Sequence, residues 1–237
     1  MTINMERLEK LIEKYDEDIK NNDFKRFVNE VLSNCGSIAL KKIIEDAFGT
    51  MTSYYRDIYV IIDDVVFTAD KKELVRYSPE NSNAEYIIPE WVERVGIDAF
   101  QGCEYLKRIT LSKNIRRIDS GAFSDCQMLS EVIWDTHEAT GGSYVFENCP
   151  KLKTVITDDA QKLFGYKCDN DGSPFINGAC LMVDGEVCEN LSIPDDADTT
   201  LRAFQGCTSI KNVEFKENNK YIEKLLLSIV DNKGILI

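Results

Sequence analysis

The chain carries a single histidine, His137, among its 237 residues. A serine or cysteine nucleophile needs an imidazole to accept its proton and a further group to orient that imidazole. A lone histidine in a polar stretch offers neither and reads as a solvated side chain. The eight cysteines include no Cys-x-x-Cys pair, the close spacing on which structural zinc sites are generally built. Gly141-Gly142-Ser143 lacks the lysine that follows in a phosphate-binding loop. Asp169-Asn170-Asp171-Gly172 resembles part of a calcium loop without the closing glutamate, and reads as a solvated acidic turn. These absences leave no catalytic residue, no metal-ligand set and no cofactor to assign.

Positive charge is also in short supply. There are 28 Lys and Arg against 41 Asp and Glu, a net charge of -13. No run of Lys and Arg offsets this, so phosphate backbones and anionic lipid surfaces are repelled, and nucleic acid is not an expected partner. No apolar stretch approaches the ~20 residues a membrane span needs, so membrane insertion is not expected. Met1 to Tyr15 is charged and amphipathic, unlike an export signal. The expectation is a cytoplasmic protein if Met1 is the native start, or a secreted or cell-surface one if an export signal has been removed. With 43% hydrophobic and 29% charged residues, the chain has the composition of a folded globular protein.

What the sequence does contain is a repeat. Ala99-Phe100-Gln101-Gly102-Cys103 returns as Ala122-Phe123-Ser124-Asp125-Cys126 and as Val145-Phe146-Glu147-Asn148-Cys149, each step 23 residues long. A further copy, Ala203-Phe204-Gln205-Gly206-Cys207, follows after a longer gap. Three residues beyond each cysteine stands an aliphatic (Leu106, Leu129, Leu152, Ile210), and three further on another (Ile109, Val132, Val155, Val213). Alternation at Ile109 and Leu111 predicts a strand with two inward side chains and one outward residue between them. Ile115, Ile118, Phe123 and Cys126 supply apolar side chains for the return leg. Gly102, Asp125, Asn148 and Gly206, each just before a cysteine, are residue types that tolerate a left-handed backbone, as a tight turn requires. One such coil cannot close a core, whereas stacked coils cover one another. Stacking makes Cys103, Cys126, Cys149 and Cys207 a buried thiol ladder beside the phenylalanines, with a disulfide or a metal site as alternatives.

The pattern resembles the BspA-like leucine-rich-repeat family, whose units combine Ile-Pro, a Val/Ile pair, Ala-Phe-x-Gly-Cys and Leu-x-x-Ile. Ile88-Pro89 through Cys103 fits closely, and so does Leu191-Ser192-Ile193-Pro194 continuing to Cys207. Ile62 to Tyr77 and Phe175 to Val187 look like the family's decorating hairpins, with Asn177-Gly178 and Asp184-Gly185 as turn dipeptides. The implied fold is an α/β leucine-rich-repeat solenoid, right-handed, β-rich and irregular, with a parallel sheet on one face and an α-helical N-terminal cap or small domain. Residues 58–216 form the solenoid with hairpin insertions, 1–57 the helical region and 217–237 a C-terminal cap. Polar residues replace the expected aliphatics over 136–142, and no Ala-Phe follows Val155. The solenoid is therefore expected to be irregular over 136–190, with a loop or hairpin bulging out.

The resemblance implies macromolecular recognition without naming a ligand. Aligned with Thr110, the outward strand positions are Ile87, Ile133, Ile156, Ser192 and Glu214, flanked by charged positions that include Arg108, Glu131 and Lys153. An apolar stripe rimmed by charge suits a protein-binding surface. The candidate partner-binding residues are Ile87, Arg108, Thr110, Glu131, Ile133, Lys153 and Ile156. The expected function is a protein-recognition module, as adaptor, effector, inhibitor or adhesin, rather than an enzyme. Two alternatives stand beside it: an enzyme or metal-dependent protein using acids of the 158–190 region, and a purely structural, self-assembling repeat.

Overall fold

The computed structural model describes residues 59–168, 171–193 and 202–215. The expected helices of 1–57, the cap at 217–237 and the Ile193-Pro194 junction beyond Ile193 lie outside these residues. The regular elements of the described residues are almost all β-strands. Strands β1 (Tyr59–Ile62), β2 (Val65–Thr68) and β3 (Glu73–Tyr77) form an antiparallel meander. It turns at Asp63 and Asp64 between β1 and β2, and again at Lys71 between β2 and β3, all three at positive φ; the antiparallel β2–β3 pair is the hairpin expected over 62–77.

The coils begin after Tyr77. Strands β4 (Glu85–Ile87), β6 (Arg108–Leu111), β8 (Glu131–Trp134), β10 (Thr154–Thr157) and β12 (Cys180–Val183) pair in parallel, and β13 (Glu186–Val187) closes one edge antiparallel. This is the expected sheet. The return legs form a second one. Two-residue strands β5 (Arg94–Val95), β7 (Arg117–Ile118), β9 (Thr140–Gly141) and β11 (Lys167–Cys168) pair in parallel and extend the meander to seven strands. The expected α/β solenoid with one sheet face is thus corrected to a β-solenoid with two. Among the described residues, helix is limited to α1 (Gln161–Phe164) and a 3₁₀ turn at Arg202–Phe204.

Between the sheets runs the core. Phe100, Phe123 and Phe146 are fully buried and stacked, with centroid separations of 4.9 and 5.2 Å. Tyr77 extends the stack by one ring at 5.0 Å. Each coil turns its corner at a left-handed residue: Gly102, Asp125, Asn148 and Gly206 all have positive φ. Backbone rungs tie corner to corner, Phe100 N to Ala122 O at 2.7 Å and Phe123 N to Val145 O at 2.9 Å. The cysteines add rungs of their own. The Cys126 thiol donates to the Phe100 carbonyl and the Cys149 thiol to the Phe123 carbonyl, both at 3.1 Å. All seven described cysteines are free thiols, so the disulfide alternative fails for them. In the next coil no thiol makes the rung: the Asn177 amide donates to the Phe146 carbonyl at 2.8 Å, with Ala179 buried just before β12. Phe204 is half-buried and stacks on Phe175 rather than on Phe146.

The stretch from 136 to 157 is a closed coil in register with its neighbour, contrary to the irregularity expected there. The Thr136 side chain is buried because its hydroxyl donates to the Ile115 carbonyl at 2.6 Å, which meets the cost of an unpaired buried polar group. Glycine allows the backbone to pass closely: a Cβ at Gly165 would stand 1.8 Å from the His137 carbonyl oxygen. His137 itself is exposed. Irregularity begins later, in the coil between β10 and β12, where the step from Ile156 to Met182 is 26 residues rather than 23. Asp184-Gly185 forms the expected hairpin turn, both residues at positive φ, whereas Asn177-Gly178 is a coil corner leading into a parallel strand.

Candidate functional site

The six-stranded sheet presents its outward residues in columns fixed by register. Ile87, Thr110, Ile133, Ile156 and Met182 are successive Cα partners across β4, β6, β8, β10 and β12, and Val187 follows on β13. They stand between inward residues that are fully buried, Ile109 and Leu111 on β6 and Val132 and Trp134 on β8. Alternation of this kind lets one face of a strand build a core while the other stays available. Ile87 is 70% exposed and Val187 52%, with Thr110, Ile133, Ile156 and Met182 half-buried between them.

Four of the seven candidate residues, Ile87, Thr110, Ile133 and Ile156, form this column. Arg108 and Glu131 lie beside it, at the start of the strands. Arg108 pairs with Glu131 at 2.6 Å and with Glu85 at 3.1 Å, and the hydrogen bond to Glu131 raises the Arg108 pKa. Lys153 falls just outside β10, exposed, its backbone N donating to Ser130 O at 3.1 Å. Ser192 and Glu214 do not continue the column. They pair with each other on β14 (Asn190–Ile193) and β15 (Asn212–Phe215), a separate two-stranded sheet.

Two features were not anticipated. The column continues through Met182 and Val187, for which the only sequence signal was the Leu181-Met182-Val183 run before the Asp184-Gly185 turn. The other is acidic. Just past the ends of β8, β10 and β12 stand Asp135, Asp158 and Asp184, beside a shallow depression of about 310 Å³ lined also by Thr110, Ile133 and Ile156. Lys162 of α1, its side chain only 6% exposed, pairs with Asp135 and, at 2.6 Å, with Asp158. Burial pulls the Lys162 pKa down, but the bonds to both carboxylates outweigh it and the net shift is upward. The hydrogen bond from Lys162 lowers the Asp158 pKa.

The opposite sheet is electrostatically closed on itself. Asp119, with its side chain 2% exposed, accepts from Arg94 and from Arg117, each at 2.5 Å, and Arg94 also approaches Glu73 at 3.6 Å. Buried Arg76 donates to the Asp98 carbonyl and to Gln101 O at 3.1 Å, fastening a coil corner. Among the described residues no group of three or more His, Cys, Asp or Glu is placed to hold a metal ion. Among the same residues no helix is long and apolar enough to cross a membrane.

Parts of this chain are similar to solved structures of leucine-rich-repeat proteins. A leucine rich cell surface protein from Faecalibacterium prausnitzii A2-165 matches at 23% identity and a TM-score of 0.45, over 70% of this chain and 42% of that one. A leucine-rich repeat protein from Eubacterium ventriosum ATCC 27560 matches at 20% identity and 0.46, over 68% and 41%. A Leucine Rich Repeat protein from T. pallidum matches at 16% identity and 0.38, over 70% and 92%. The chain thus spans less than half the length of the first two. A search of curated proteins gives no match. A family model described as "BspA type Leucine rich repeat region" matches in six copies, over residues 74–168 and 186–232. That match covers more than half of the chain, which therefore belongs to the BspA-type leucine-rich-repeat family.

Proposed function

We propose that this protein is a recognition module that binds a protein partner through the outward face of the six-stranded sheet. The observation that carries the reading is the column Ile87, Thr110, Ile133, Ile156, Met182, which sets three isoleucines and a methionine, with one threonine among them, side by side on a surface strand face. A contiguous apolar stripe is costly to leave in water, at roughly 25 cal/mol per Å². Its charged flanks suit a polar rim around such a core. Ile87, Arg108, Thr110, Glu131, Ile133 and Ile156 are the contact residues we assign on this face. Lys153, outside the strand, is assigned a rim contact.

The test is capture of the partner from both cell lysate and culture medium with the wild-type chain and with an Ile133→Glu/Ile156→Glu variant. Both positions point away from the core, so the variant is expected to keep its far-UV spectrum, with a modest fall in melting temperature because the two glutamates face each other on adjacent strands. Loss of a defined partner from the variant supports the reading. A partner retained at wild-type yield refutes it.

A further inference from the structure

We infer that the six-stranded face takes a segment carrying an aliphatic side chain next to a lysine or arginine. This rests on the reading of that face as the binding surface, and adds the chemistry of the occupant. The depression at the strand ends is lined by the apolar side chains of Ile133 and Ile156, with Thr110 beside them, and by the carboxylates of Asp135, Asp158 and Asp184. Register places the three aspartates on neighbouring strands, because Asp135, Asp158 and Asp184 immediately follow β8, β10 and β12. Adjacent parallel strands lie about 4.8 Å apart, and like charges at that distance repel.

Lys162 is the one cation paired with this edge among the described residues, and it is divided between Asp135 and Asp158. Asp184, exposed at the hairpin tip, has no ion-pair partner among them. Three carboxylates against one ammonium leave two formal negative charges beside Ile133 and Ile156. The other end of the strands differs: Glu85 and Glu131 share Arg108, with Lys107 and Lys153 adjoining. The excess of negative charge is therefore local to the end that holds the depression. An occupant with an aliphatic group alone would leave the carboxylates unanswered, and a cation alone would leave Ile133 and Ile156 wet. Anionic partners are repelled from this end.

The test uses the full 237-residue chain, labelled at its isoleucine methyl groups, titrated with synthetic nonapeptides. The first probe interleaves Leu and Lys with Gly and Ser spacers; the second has Glu at every Lys position, and the third has Ser at every Leu position. Supporting results are shifts of the Ile133 and Ile156 methyls with the Leu/Lys peptide, and affinity at least fivefold weaker for both controls. Asp184→Asn should weaken the Leu/Lys peptide about two- to fivefold at low salt, the range of an exposed ion pair, while Asp184→Glu retains it. Equal binding of the Leu/Glu peptide overturns the charge assignment and leaves the sheet-face reading standing. Absence of methyl shifts with every peptide overturns the inference, while the capture experiment separately decides the broader reading.

Discussion

Replacement of Phe123 by alanine tests the stacked-coil architecture at its centre. The ring is fully buried, with Phe100 on one face at 4.9 Å and Phe146 on the other at 5.2 Å. Truncating a buried phenylalanine to alanine costs about 3–5 kcal/mol, and more when the surroundings cannot collapse into the space. Here they are held apart: Phe123 N bonds to Val145 O and Phe100 N to Ala122 O, so neither neighbouring coil can close the gap without breaking rungs. The upper part of the range applies, about 4–5 kcal/mol, or roughly 8–20 °C in melting temperature for a chain of this length. Against a total stability of about 5–15 kcal/mol, the variant is marginal. In a solenoid each coil is stabilised mainly by its neighbours, so the coils on either side are expected to lose their common transition. Urea unfolding followed by far-UV CD and by tryptophan fluorescence measures both effects, Trp134 being buried against Tyr166 at a 4.7 Å centroid separation. Phe123→Leu should recover about half the loss. A Phe123→Ala protein within about 1 kcal/mol of wild type, with a single superimposable transition, would refute the continuous aromatic stack.

Other consequences follow from the same geometry. Gly165→Ala is expected to cost about 2 kcal/mol or more in urea unfolding, because its Cβ would stand 1.8 Å from the His137 carbonyl oxygen; a wild-type midpoint would show that the coils do not approach so closely. Hydrogen bonding between neighbouring thiols, together with burial, pushes the Cys126 and Cys149 pKa values far up. A thiol reagent at pH 8 should therefore leave both unmodified in the folded protein and label them after denaturation, as read by peptide mass spectrometry. The Lys162 hydrogen bond lowers the folded pKa of Asp158, so the stability it contributes is present above about pH 4 and is lost as pH falls through the folded value. Asp158→Asn should flatten the acid limb of the melting-temperature profile, and an identical limb would remove the pair from the account. The self-assembling alternative predicts a mass that rises with concentration in light scattering, whereas a recognition module keeps one mass in the absence of partner.

The interior was legible in the sequence because each of its positions repeats a neighbour's. The Phe100, Phe123 and Phe146 stack, the left-handed corners at Gly102, Asp125 and Asn148 and the inward cysteines follow from one 23-residue spacing. The second sheet was not legible, since β5, β7, β9 and β11 are two residues long, too short to show a period of two. The coil through 136–142 read as degraded because hydropathy scores threonine and glycine as polar or neutral. Thr136 is nevertheless buried with its hydroxyl satisfied, and small residues suit a coil that packs backbone against backbone.

The outward face was harder to read for a reason that the register makes plain. Extending the column by matching repeat motifs assigns Ser192 as the residue beyond Ile156, yet the residue beside Ile156 is Met182, 26 positions along the chain. The coil between them turns its corner at Asn177-Gly178 and enters β12 directly after Ala179, without the intervening Leu-x-x-Ile segment. The same departure brings Asp184 beside Asp158, also 26 positions away, where motif alignment would have set a different residue. Repetition fixes what faces inward, because every coil must cover the next with the same shapes. It places no such demand on the outward residues, whose chemistry emerges only when strands of unequal spacing are laid side by side. The acidic edge of the depression is therefore a product of the irregular coil rather than of the repeat, and the surface most particular to this chain lies where its repeat is least regular.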